Sequence, residues 1–235
     1  ILSLDVSTET KNHHLVACKA FSRWLMKHGR LPDDPLVGLS RWNAEVDRRV
    51  RRRVLTGEEL RRLIEITEQS QRTFRGLTGR DRAALYLLAS YSGFRASELA
   101  SLTRGALNLE TDPPTVTVEA AYAKNKRQDT IPLPEDVAKY LGDWMSTRPT
   151  IPTPLTRLWP GTWFTKAAKM IRQDLEEAGI PPSTETGQLD FHSLRGTYAT
   201  MLARVGVNLQ TAQALMRHSD PKLTARTYTK LGVTD

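Results

Sequence analysis

Apolar side chains recur at helical spacing over residues 10–28, where Leu15, Val16, Phe21, Trp24 and Leu25 share a stripe. Gly29, Pro32 and Pro35 then close that helix and open a loop. Thr56, three residues before Glu59, spells a capping box, with Leu60, Leu63 and Ile64 on the buried face of the helix it starts. Residues 82–90 are almost wholly apolar after Arg82, the pattern of a central core helix. Ser92-Gly93 interrupts it, and a new helix is expected over 95–102. Alternation places Val116 and Val118 on one face and predicts a strand over 115–121. A second strand over 129–133 leaves 124–127 in a hairpin loop. Helical spacing returns over 135–145, 161–178, 191–205 and 208–217, and a last helix begins after Pro221. Trp159, Trp163 and Phe164 read as core aromatics. The pattern predicts a mainly α protein with a small antiparallel β-sheet, an α+β fold.

The first helix has too few partners to bury its stripe alone. Residues 1–47 therefore read as the end of a helical domain whose beginning is absent, 48–53 as a basic linker, and 54–235 as the main block. Charge sharpens the middle segment. The 235 residues carry 34 Lys+Arg against 26 Asp+Glu, a formal charge of +8, and much of the excess is Arg48, Arg49, Arg51, Arg52 and Arg53. Such a run is either a solvated linker or a connector that tracks phosphates, and charge alone does not separate the two. Bulk composition, 39% hydrophobic and 26% charged, is that of a soluble globular protein. No apolar run approaches the ~18 residues of a membrane span, and the first residues lack a secretory signal. The single cysteine, Cys18, excludes an internal disulfide framework and a multi-cysteine zinc site and fits a reducing, cytoplasmic setting. The basic balance points to a polyanionic partner, most simply nucleic acid.

Four segments far apart in the chain supply candidate chemistry. In Ser92-Gly93-Phe94-Arg95-Ala96-Ser97-Glu98-Leu99, Arg95 stands at a helix start whose free N–H groups favour an anion, and Glu98 one turn on can brace its guanidinium. In Asp190-Phe191-His192-Ser193-Leu194-Arg195, the histidine and arginine are three apart, hence on one helix face, opposite a core stripe of Leu194, Tyr198, Met201 and Leu202. His218 falls between two helices, and Tyr228 follows ten residues later. Each alone is commonplace: a surface arginine, a chance pair, a helix cap, a packing tyrosine. A cation and an imidazole converging on one phosphate are what phosphoryl transfer requires.

In order along the chain, Gly93 to Leu99, Lys124 with Ile131-Pro132-Leu133 behind it, His192-Ser193-Leu194-Arg195, His218 and Tyr228 closely resemble the tyrosine recombinase (phage integrase) family. The likeness covers the block from about 54 to the end, and residues 1–47 resemble the last part of the family's core-binding domain. It implies the tyrosine-recombinase catalytic fold preceded by a partial helical domain. The implied activity is site-specific DNA cleavage and rejoining by transesterification through a 3′-phosphotyrosine. In that scheme Tyr228 attacks, Arg95 and Arg195 hold the non-bridging oxygens, and Lys124 protonates the leaving 5′-oxygen, with Lys126 and Arg127 its close competitors. His192 moves protons near Tyr228, His218 bonds a phosphate oxygen, and Glu98 supports. The arginine run, with Lys126 and Arg127, would contact DNA. The implied partners are double-stranded DNA with a crossover site and further copies of the chain in a tetrameric synapse. No cofactor, metal, nucleotide or membrane is implied. Seven residues follow Tyr228, where many relatives carry a further helix, so truncation at both ends is an expectation. A type IB topoisomerase shares the Arg/Lys/Arg/Tyr set. A non-catalytic DNA-binding regulator should lack part of it, and a metal-dependent nuclease would need an acidic cluster that the sequence does not supply.

Overall fold

Ser7 starts the first helix. Its hydroxyl accepts from the Thr10 N–H, and α1 runs Thr8–Lys27 with Glu9 in the first turn and Lys27 in the last, both favourable to the helix dipole. The computed structural model describes residues 5–47, 49, 51–123, 126–148 and 153–234, with backbone alone for 229–234. Its contacts divide the chain into two units, Ile1–Arg51 and Arg52–Asp235.

In the first unit the segment after α1 folds back along it through polar contacts. Asn12 exchanges two hydrogen bonds of 2.9 Å with the Trp42 backbone, and Lys19 donates to the Val37 and Leu39 carbonyls. Ser22 donates to Asp34, and the Thr8 N–H donates to Asp47 at the end of a 3-10 turn over Ala44–Asp47. Of the predicted apolar stripe only Leu15 is buried; Phe21 and Trp24 stack on one another and stay 60% and 47% exposed.

The second unit is built around a helix that is buried along most of its length. α2 (Gly57–Gln69) begins at the Thr56/Glu59 capping box, and α3 (Gly79–Ser92) begins at a second one, Thr78/Asp81. α3 buries residues on every face and packs against α2, α5 (Glu135–Ser146) and α7 (Ser193–Arg204). It stops at Gly93, which takes the left-handed conformation at φ 62°. A Cβ there would stand 2.9 Å from the Tyr198 ring, so both the turn and the close approach require glycine. α4 (Ala96–Ser101) leads to a three-stranded antiparallel sheet in the order β1 (Leu107–Asn108), β2 (Thr115–Val118), β3 (Asp129–Pro132). Val116 faces Ile131 and Val118 faces Asp129 across the hairpin. α6 (Ala167–Glu177), a short hairpin of β4 (Ser183–Thr184) and β5 (Gly187–Gln188), α7, α8 (Leu209–Met216) and α9 (Pro221–Thr234) complete the unit. Trp159 and Trp163 are wholly buried with Leu63, Leu85, Leu141 and Leu194, and Phe164 packs against them.

The α+β expectation holds, with local corrections. The strand expected over 115–121 ends at Val118, where the chain turns through Glu119–Ala123. The helix expected from 161 begins at Ala167 after a 3-10 turn, Trp163–Lys166, because the Trp163 indole N–H is drawn back to the Trp159 carbonyl. Arg95 and His192 are N-caps, so α4 and α7 start one and two residues later than expected.

Candidate active site

Three turns in the second unit converge: Gly93–Arg95 before α4, Asp190–His192 before α7, and Arg217–Asp220 between α8 and α9. Arg195, in the first turn of α7, is 4% exposed and donates one terminal nitrogen to the Gly93 carbonyl and the other to the Met216 carbonyl. It thus ties all three turns. The sequence placed it with His192 on an outer helix face. It is buried instead because these two carbonyls, one at a helix end and one just after it, lack helical partners and accept its fork. Burial, followed by the charges of Arg95 and Arg217, pushes its pKa down to about 10, so it remains a cation at neutral pH.

Glu98 is the hub of the first turn. It is 1% exposed and accepts the Arg95 N–H at 2.8 Å and the Arg95 guanidinium at 3.0 Å. The brace expected from the sequence is present, but the Arg95 N–H expected to be free for an anion is used by this box. Burial pushes the Glu98 carboxyl up, but the hydrogen bonds from Arg217 and Arg95 and their charges outweigh it and hold the carboxyl below its usual value. The Arg95 side chain keeps 31% of its surface open. Its remaining donors are the ones available to a ligand.

The two histidines are held neutral. His218 gives or takes a 2.8 Å hydrogen bond between Nδ1 and the buried Thr224 hydroxyl. Burial first, then the charges of Arg195 and Arg95 together with His192 and Arg217, push it down to about 4. His192 has an exposed face, yet loss of water from the rest of its ring and the charges of Arg52 and Arg195 lower its pKa as well. Arg52 is held near it by Asp190, whose carboxylate takes the Arg52 Nε at 2.6 Å and also caps the Ser193 N–H.

Tyr228 is on α9 but is not drawn into this group. Its hydroxyl donates to the Val207 carbonyl at 2.5 Å, and burial raises its pKa. Lys124 and Arg48 lie outside the described residues. Lys126 and Arg127 are exposed in the loop between β2 and β3, Lys126 with a left-handed backbone at φ 54°. In the first unit Arg49 pairs with Asp47 and Asp5, and Arg51 is exposed. Arg53 is committed inside the second unit, at 2.9 Å from Glu59 and donating to the Pro181 carbonyl, with its side chain 12% exposed. Sequence reasoning missed Arg217, whose 3% exposed side chain enters this cluster; its neighbour His218 was the only signal. Among the described residues no group of three or more His, Cys, Asp or Glu is placed to hold a metal ion, and no helix is long and apolar enough to cross a membrane.

A cluster of three buried or half-buried arginines and two neutral imidazoles can bind a phosphate and move protons beside it. Comparison with known proteins places the chain in a family. The profile of the "Phage integrase family" matches residues 53–234. The tyrosine recombinase XerC of Xanthomonas campestris pv. campestris is 29% identical over 230 residues, which are 96% of this chain and 65% of the relative. The chain thus spans less than two thirds of that relative's length. XerC of Erythrobacter litoralis is 29% identical over 92% of this chain and 67% of its own. Among solved structures, the XerH site-specific recombinase bound to palindromic difH substrate superposes with a TM-score of 0.72 at 18% identity, over 96% of this chain and 65% of that one. The Tn1549 transposon integrase in complex with transposon right end DNA superposes at 0.68 and 17% identity, over 95% and 76%. At these identities the structural likeness speaks for the fold.

Proposed function

Because the chain belongs to the phage integrase family, we propose that it is a site-specific DNA recombinase that cleaves and rejoins strands through a 3′-phosphotyrosine. The observation that carries this reading is the convergence of Arg95, Arg195, His192 and His218 on one surface of the second unit, with Tyr228 on the helix that follows His218. Arg95 presents its open donors to a non-bridging oxygen, and buried Arg195 supplies a fixed positive charge behind it. Tyr228 leaves the Val207 carbonyl and its oxygen bonds phosphorus, while the bond from phosphorus to the 5′-oxygen breaks. The phenol proton needs an acceptor, and the lowered pKa of His192 keeps its imidazole free to take it. Lys124 supplies a proton to the departing 5′-oxygen. Where Nδ1 of His218 accepts from Thr224, Nε2 carries the hydrogen and donates to a phosphate oxygen. Attack by a second strand's 5′-hydroxyl reverses the steps, so the phosphodiester energy is conserved in the covalent bond without a nucleotide.

The reading extends to a metal- and ATP-independent reaction on duplex DNA in the cytoplasm, carried out by a tetramer assembled at a crossover site. The first unit, with Arg49 and Arg51, would act as the remainder of a DNA-embracing domain. The test uses duplexes recovered by the chain from a random-sequence pool and then nicked, so that the 5′-hydroxyl fragment diffuses away after cleavage. A covalent protein–DNA band should form in EDTA without ATP. It should vanish in Tyr228→Phe with DNA binding retained. A band of undiminished strength in that variant would remove Tyr228 from the nucleophile's role.

A further inference from the structure

Arg217 has an unusual backbone and an unusual set of partners. It is the C-cap of α8 in the left-handed conformation, φ 52° and ψ 41°, a region that a side chain with a Cβ seldom occupies. Its guanidinium is nevertheless buried. One terminal nitrogen donates to Glu98 Oε2 at 2.7 Å, the other is 3.6 Å from Asp129 Oδ2, and the group lies 4.5 Å over the Phe94 ring. Among the described residues its Nε has no partner. A strained backbone and a buried cation persist together only where the surroundings over-determine them, and such residues gather at functional sites.

The partners say which function. Glu98 is the carboxylate that braces Arg95. Asp129 opens β3, the strand on which the loop carrying Lys126 and Arg127 returns. The carbonyl just before Arg217 receives Arg195, and the residue just after it is His218. Resting on the recombinase reading, we propose that Arg217 is a positioning residue for phosphoryl transfer. Its left-handed turn aims the Met216 carbonyl at Arg195 and the His218 ring at the site, and its guanidinium locks Glu98, hence Arg95, to β3. A glycine would suit the backbone better but would supply no such lock.

Arg217→Gly separates the two contributions, since glycine keeps the left-handed turn without strain and deletes the guanidinium alone. With the full chain and the nicked duplexes described above, single-turnover cleavage should fall by about 100-fold while DNA affinity changes by no more than about threefold. Arg217→Lys keeps the charge without the two-pronged reach and should fall by about tenfold; it carries the test if the glycine variant does not fold. Glu98→Gln added to Arg217→Gly should lose less than the product of the two single losses, because both variants break the Glu98–Arg217 contact. Wild-type rates in the Gly and Lys variants, or losses that multiply in the double variant, would overturn the role of Arg217. Absence of a covalent product with the unaltered chain would instead overturn the recombinase reading, so the two failures are distinct.

Discussion

His218 shows what placement does to a single side chain. In the unfolded chain it titrates near ~6.5, and in the fold burial and four neighbouring cationic or imidazole groups push it down to about 4. Above the first value both states hold a neutral ring. As the pH falls from there, the unfolded state takes up the proton first, so stability declines until the folded value is reached and then levels off. His192 contributes in the same direction. Urea midpoints between neutral pH and about pH 4.5 should therefore fall less steeply in His218→Gln than in the parent. Parallel declines would mean that the imidazole stays as hydrated as in the unfolded chain. A bound phosphate would reverse the sign at this ring by favouring its charged form.

Between elements, Asp174 on α6 makes a buried polar junction. It is wholly buried, takes hydrogen bonds from Arg82 at 3.0, 3.1 and 3.3 Å and one from Tyr86 at 2.5 Å, both on α3, and one more from Arg72 in the α2–α3 connection. Asp174→Asn leaves the buried Arg82 without its counter-charge, while Arg72 keeps Glu177, and should cost about 3–5 kcal/mol in urea unfolding, with a Tyr86→Phe change costing less. The sequence announced Arg82 only as the polar start of an apolar helix, because its partner lies 92 residues away. The same limit separates what was legible from what was not. The Thr56/Glu59 box, the stop at Gly93 and the hairpin around 124–127 are local patterns, and the structure has each of them or its flanking strands. β1, β4 and β5 are two residues long, too short for any alternation to register. Arg195 was read as outward because helical spacing knows nothing of the Gly93 and Met216 carbonyls, and Arg217 was overlooked because a left-handed arginine leaves no mark on hydrophobic pattern. Arg95, His192, Arg195 and His218 were singled out by the family resemblance of their order, and the structure brings them together, while the partners that set their charge and orientation left no mark in the sequence.

For the molecule as a whole, the basic run divides between the two units and between the two readings of it. Arg53 belongs to the fold through Glu59 and Pro181, and Arg52 is joined to Asp190, whereas Arg51 is exposed. Arg51→Ala should lower the slope of log affinity against log salt by about 0.9, the share of one phosphate contact. Arg53→Ala should leave that slope unchanged and lower the unfolding midpoint instead. Equal slopes in the parent and the Arg51 variant would make this arginine a solvated linker residue. The buried arginines of the candidate cluster follow a different thermodynamics. Arg195 and Arg217 are each gripped at both terminal nitrogens by other parts of the chain. An arginine carries about 2 kcal/mol of rotamer entropy, and here that freedom is surrendered when the polypeptide collapses, long before a duplex arrives. The ordering entropy of these two side chains is therefore a term in the stability of the protein, and under the proposed function it would not enter the affinity for DNA, so that a phosphodiester would meet a rigid electrostatic mould.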